Sequence, residues 1–286
     1  MPLTQVRARA GSRMARAAEE EARLLFGGRW MPLTRALTFI EGTLDEVVEA
    51  WMGWRGTAVL NRTGYPMRVR PICGDLEQQL RQLLPFVGPM SRKTLFTPTA
   101  DPIPDAAVPG GPWVCVLNDN WVAGGAKDAA GGLTPRGLRA ITVESSPSSL
   151  DVEKNTGFYG LHRLGVHWHD PTEKFGTGGR SIGIAQFDNI RTWNFVDHGE
   201  PLPFEDTRHY TAKKVQDRFT QQLLIQYCAA LGLRPFDADF YAPDRVGVLI
   251  EDTSPPLKGA WQADLAARRS GRPVEEIGQP IPWPEP

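Results

Sequence analysis

Two rhythms of apolar residues run along the 286-residue chain. Runs that alternate apolar with polar, or that are apolar and β-branched throughout, predict strands; apolar residues three and four apart predict helices. "RALTFIE", Arg35 to Glu41, is of the first kind and is broken by Gly42. Thr43 then offers an N-cap with Glu46 three positions on, a capping-box pairing, and Leu44, Val47, Val48 and Trp51 line one face of the helix that follows. The unit recurs. "MRVRPIC" reads as a strand and Asp75 as the cap of a second helix, whose apolar face is Leu76, Leu80, Leu83 and Leu84 and whose stop is Pro85. "KTLFTP" supplies a further strand.

Residues 98–112 carry Pro98, Pro102, Pro104, Pro109, Gly110, Gly111 and Pro112, a loop by composition. Beyond it "WVCVLND", "LRAITVES", "FYGLHRLGVHWHD", "RSIGIAQFD" and "RTWNFVD" follow one another as strands, a density that predicts an antiparallel sheet. The chain then turns helical, first over "DTRHYTAKKVQDRF" and more clearly over "TQQLLIQYCAALGL", where Thr220 caps, Leu223, Leu224, Tyr227, Cys228 and Leu231 keep helical spacing, and Gly232 suits the left-handed closing position. "VGVLIED" is a last strand, "PPLKGAWQADLAARRSG" a last helix, and "RPVEEIGQPIPWPEP", with Trp283, a proline-rich tail. The expectation is an α+β protein: a mainly antiparallel or mixed sheet with helices packed on one face, or two fused α/β lobes. The corresponding segments are an N-terminal extension over 1–30, an α/β lobe over 31–100, a sheet-plus-helix lobe over 113–270 and the tail over 271–286.

Composition narrows the function classes. A 41% hydrophobic and 23% charged chain is ordinary globular material, and 32 basic residues against 33 acidic ones do not make a surface built for phosphate backbones, so nucleic acid is not the expected partner. Cys73, Cys115 and Cys228 are widely spaced with no C-x-x-C pair, which fits a reducing cytoplasm better than a disulfide scaffold or a zinc ribbon. No apolar run approaches the ~18 to 20 residues of a spanning helix, so no membrane partner is expected. "MPLT" occurs at Met1 and again at Met31, which makes Met31 a candidate start; Arg7, Arg9, Arg13 and Arg16 precede it without the apolar core of a secretory signal.

"LGVHWHDP" is the stretch with most chemistry. On a strand, His167 and His169 share a face with Arg163 and Gly165, while His162, Leu164, Val166 and Trp168 share the other. Two readings follow: a polar cross-strand pair beside a permanent cation, or a metal site of His167, His169 and Asp170 that needs a further donor such as Asp188, Asp197, His198 or His209. The first is preferred, since no H-E-x-x-H or comparable spacing is present. Asn118, Asp119 and Asn120 read as a strand-end turn, beside which Trp121 is either tucked in or offered to a partner. Cys115 lies in an apolar strand without a paired histidine, and "GTGGRS" lacks the Lys-Ser/Thr of a phosphate loop. From Asp197 to Asp252 acidic residues outnumber basic ones by ten to six, a surplus that suits a basic partner.

"GEPLPFEDTRHYTAKKVQDRFTQQLLIQYCAALGLRPFDADFY", Gly199 to Tyr241, together with the upstream "WVCVLNDN", resembles a group of bacterial proteins that share a PFE turn, a D-R-F-T junction and an A-L-G-x-x-x-F-D-x-x-F-Y ending. The resemblance covers about Trp113 to Tyr241. It implies kinship and no assigned activity. Absent a catalytic motif, the leading expectation is a non-enzymatic cytoplasmic binding protein of the immunity type, without cofactor, that neutralises a bacterial toxin by occluding its active site. Its interface is expected at the strand-end loop of Asp119 and Trp121 and at the acidic loop of Glu205 and Asp206. The alternatives are a metal-dependent hydrolase at the His-x-His-Asp site and a structural component of a phage or secretion assembly.

Overall fold

The computed structural model describes residues 15–101, 107, 110–120, 125–149, 157–187, 190–269 and 277–282. The chain is an α+β protein built on one nine-stranded sheet. Its strands are β1 (Ala36–Glu41), β2 (Met67–Cys73), β4 (Lys93–Pro98), β5 (Trp113–Asn118), β6 (Ala140–Ser146), β7 (Leu161–His169), β8 (Thr177–Phe187), β9 (Ile190–His198) and β10 (Val246–Asp252), in the order β2-β10-β4-β5-β1-β6-β7-β8-β9. Every pairing in it is antiparallel. Strands from both sides of the 98–112 loop therefore share one sheet. A small second sheet joins β3 (Phe86–Gly88), β11 (Trp261–Ala263) and β12 (Gln279–Pro280).

Alternation along the central strands sorts side chains into two cores. Phe39, Leu95, Cys115, Ile141 and Leu249 face one cluster, and their chain neighbours Ile40, Phe96, Val116, Ala140 and Ile250 face the other. Helices accordingly lie against both faces rather than one. α4 (Leu76–Arg81) and α6 (Gln221–Ala230) cover the first, together with Leu25, Trp30 and Leu33 from the N-terminal segment. α2 (Leu44–Trp51) and α5 (Gly125–Leu133) cover the second, through Val47, Trp51, Ala129, Ala130 and Leu133.

Local chemistry explains most element ends. Thr43 and Glu46 make the expected capping box, as do Asp75 and Gln78. α2 runs through a π turn, Met52–Gly56, into α3 (Thr57–Thr63), which stops at Gly64 in the left-handed conformation. Two expected helices take other forms. The segment after Asp206 becomes two short 3-10 turns, Thr207–Thr211 and Val215–Asp217, because Tyr210 and Arg218 are drawn to tertiary partners: Tyr210 to Glu205, and Arg218 to the Ala212 carbonyl and the Phe195 ring. The stretch after Pro255 is divided, with β11 pairing to β3 before α7 (Leu265–Arg269) turns helical. A helix over 15–22, α1, lies on the first face; its Glu20 carbonyl accepts from Gln221 Nε2 at 2.9 Å, and its carboxylate sits 3.8 Å from His162 Nε2. No helix among the described residues is long and apolar enough to cross a membrane.

Candidate functional site

Three places bear on function, and each arises from a different part of the sheet. Asp119 follows β5. It is fully buried, and its two oxygens accept the backbone N–H groups of Arg92 at 2.8 Å and Lys93 at 3.0 Å. Burial pushes its pKa up to about 7, against those two donors, which act to lower it. Asn118 Oδ1 accepts from Asn120 N, and Asn120 Nδ2 donates to Pro89 O, so the N-D-N turn braces the 89–93 loop from within. Asp119 is a support for that loop and offers nothing to a partner's surface. Trp121 lies outside the described residues.

The paired histidines stand on β7 with the parity expected. His167 and His169 are on the face of Arg163 and Gly165, and His162, Leu164 and Val166 face the larger core. His167 is half-buried rather than in open water, with Nε2 3.3 Å from Thr142 Oγ1, while His169 is exposed. Burial, then the Arg163 charge, hold the His167 pKa below the ordinary histidine value. Asp170 is turned to its own loop: Oδ1 accepts from Thr172 N and Thr172 Oγ1, which keeps its carboxyl below the usual range. Of the proposed further donors, Asp197 is ion-paired with Arg180 and His209 lies 3.6 Å from Asp206; Asp188 lies outside the described residues. Among the described residues no group of three or more His, Cys, Asp or Glu could hold a metal ion. Ser145 Oγ, 3.2 Å from His162 Nδ1, and Glu20 beyond the ring form a chain in the order of a hydrolytic triad, but Ser145 and His162 are both buried under α1, where the chain ties helix to sheet.

The third place is the end of the sheet where β7 turns into β8. The 170–176 loop is closed by its own backbone: Asp170 N donates to Gly176 O, Glu173 N to Asp170 O and Gly176 N to Glu173 O, with Gly176 at φ 69°. On this tight loop Phe175 is 78% exposed, the Lys174 ammonium lies 5.4 Å from its ring centroid, and Trp168 is 38% exposed across Gly178, where a Cβ would meet its ring nitrogen at 2.7 Å. The acidic loop joins this end. Glu205 is buried in a fork with Arg180 (Nη2 to Oε2 2.7 Å, Nε to Oε1 2.9 Å), and Arg180 also reaches Asp197 and the carbonyls of His198 and Gly199. Tyr210 donates to Glu205 at 2.6 Å, and Asp206 N donates to the Tyr227 hydroxyl at 2.8 Å. Burial works to raise the Glu205 pKa, yet the Arg180 fork prevails and holds it below the ordinary value. Glu205 thus anchors the loop. Asp206 is partly exposed and shared with Arg208, and Glu200 is exposed. Arg180 is opposite Val166 on β7, close along the ladder to the Trp168–Gly178 pair, so this network sets the acidic loop beside the aromatic hairpin. Neither Phe175 nor Trp168 stands out in the sequence as a contact residue; the signal available is an apolar residue inside the polar run "DPTEKFGT".

No family model, no curated protein and no solved structure matches the chain.

Proposed function

We propose that the protein is a non-enzymatic binding protein of the immunity type, acting in the cytoplasm, whose β7–β8 hairpin and neighbouring acidic loop cover the active site of a bacterial toxin. The observation that carries this reading is the exposure of Phe175, on a loop pre-organised by three backbone hydrogen bonds, and of Trp168 on the strand that leads into it. Large aromatics held rigid in a protruding loop are what protein interfaces use as anchors, since little conformational entropy remains to be lost on docking. Glu200, and the one negative charge left when Arg180 pairs with both Asp197 and Glu205, would favour a basic face, as nuclease and other polyanion-binding sites present, while Asp206 is balanced by Arg208. The arrangement would place an aromatic plug and an acidic rim on the same end of one sheet.

The test is calorimetric titration of the purified chain with the protein encoded beside it, alongside that protein's toxic activity. Stoichiometric inhibition is expected, with affinity falling at least ~30-fold when Phe175 and Trp168 are both replaced by Ala, the worth of one ~2 kcal/mol anchor. Binding unchanged in that double variant, at unchanged melting temperature, would remove the hairpin from the interface. A toxic activity undiminished by excess chain would remove the immunity reading altogether.

A further inference from the structure

At the opposite end of the sheet, near its β2 edge, a cavity of about 260 Å³ opens between the C-terminal turn of α3, the 89–92 loop and the segment that follows β10. Its walls are mainly apolar. Tyr65, Met90 and Leu257, large hydrophobic residues exposed at 46%, 36% and 49%, ring the opening, with Val87 and Pro255 deeper. Arg62, which is exposed, and Arg92 also line it, and among the described residues neither has a carboxylate partner. Arg92 is fixed where it stands: Nη2 donates to the carbonyls of Asp252, at 2.8 Å, and Ser254, and its backbone N–H is held by Asp119. The acid in the lining, Asp252, commits Oδ1 to Ser254, accepting from N at 2.9 Å and Oγ at 2.6 Å. Two cations therefore face one acid already engaged with its own loop.

We infer that this cavity is a binding site for a small monocarboxylate with an apolar body. The guanidinium fork of Arg62 matches a carboxylate in plane and spacing, and Arg92, its Nη2 spent on two carbonyl oxygens, keeps its full charge for a ligand. Around it the apolar walls supply the hydrophobic share of affinity and lower the local dielectric, which strengthens the pair. Size sets the class. At about 260 Å³ the cavity lies just below the ~300 Å³ at which drug-sized sites begin. A phenyl or short branched alkyl body with one carboxylate fits that volume. The site is remote from the hairpin, and its fate leaves the reading of the hairpin untouched.

Phenylacetate and its neutral counterpart phenylacetamide, titrated into the full chain and followed by the methyl signals of its methionines, test this. Phenylacetate is expected to move the Met90 methyl and leave Met52 in place, because Met52 packs with the second core. Phenylacetamide should bind at least fivefold more weakly. Arg62→Gln should bring the acid down to the amide's affinity without lowering the melting temperature, since Arg62 makes no side-chain hydrogen bond among the described residues. Equal binding of acid and amide, a Met90 signal that neither compound moves, or full phenylacetate affinity in the Arg62→Gln variant would each overturn the assignment.

Discussion

Asp119→Asn offers a direct reading of what the floor of the 89–93 loop costs the protein. A folded-state pKa of about 7 against an ordinary 3.8 means that the native chain holds this proton more tightly than the unfolded chain does. Stability from this group is therefore fully present below about pH 3.8, declines as pH rises toward 7, and is level above that. The whole change corresponds to ~4 kcal/mol at 1.36 kcal/mol per pKa unit. The substituted amide cannot ionise, so the variant lacks this slope; its own cost is a constant ~1 to 3 kcal/mol, because an amide presents one acceptor to the two N–H groups of Arg92 and Lys93. The assay is urea denaturation of both proteins at pH 5 and pH 8. Relative to the variant, the wild type should lose ~2 to 3 kcal/mol between the two pH values, about 1 M in midpoint at an m-value near ~3 kcal/mol/M. A wild-type-minus-variant difference that is flat, or that grows in favour of the wild type as pH rises, would refute the reasoning, for it would mean that the two backbone donors outweigh burial.

The other predictions concern packing and the buried ion pair. Arg180→Ala should destabilise by ~3 to 5 kcal/mol, because Glu205 is left buried and uncompensated, and Arg180→Met with Glu205→Leu should recover much of that loss in thermal melts. In the wild type the depressed Glu205 pKa contributes stability that is present above pH 4.5 and lost as pH falls through its folded-state value, so acid titration should show this slope and the double variant should lack it. Gly132→Ala should destabilise by ~1 to 3 kcal/mol although alanine favours helix, since its Cβ would overlap the Trp54 ring; near-ultraviolet circular dichroism of Trp54 and Trp51, 5.2 Å apart, should change with it.

The alternation of apolar residues determined, without help from the rest of the chain, where β1, β2, β4 to β10 and the caps at Thr43, Asp75 and Thr220 lie, and that His167 and His169 share a face. These are local properties, since side-chain direction on a strand and capping in a helix are settled within a few residues. α5 was not legible, because "GAKDAAGGL" has too few large apolar residues to show a period. Its position follows from the face of β1, β5 and β6 that it covers, with Gly132 making room for Trp54. Tertiary structure alone inserted β10 between β2 and β4, and it alone buried Asp119 and Glu205, which sequence placed on the surface as loop acids. Burial of a charge depends on a partner that can be anywhere in the chain: Arg180 lies 25 residues from Glu205, and the cavity draws on residues from Arg62 to Ile281. A polar residue in a loop looks the same in sequence whether water or a backbone N–H satisfies it, and only the path of the other loops decides which.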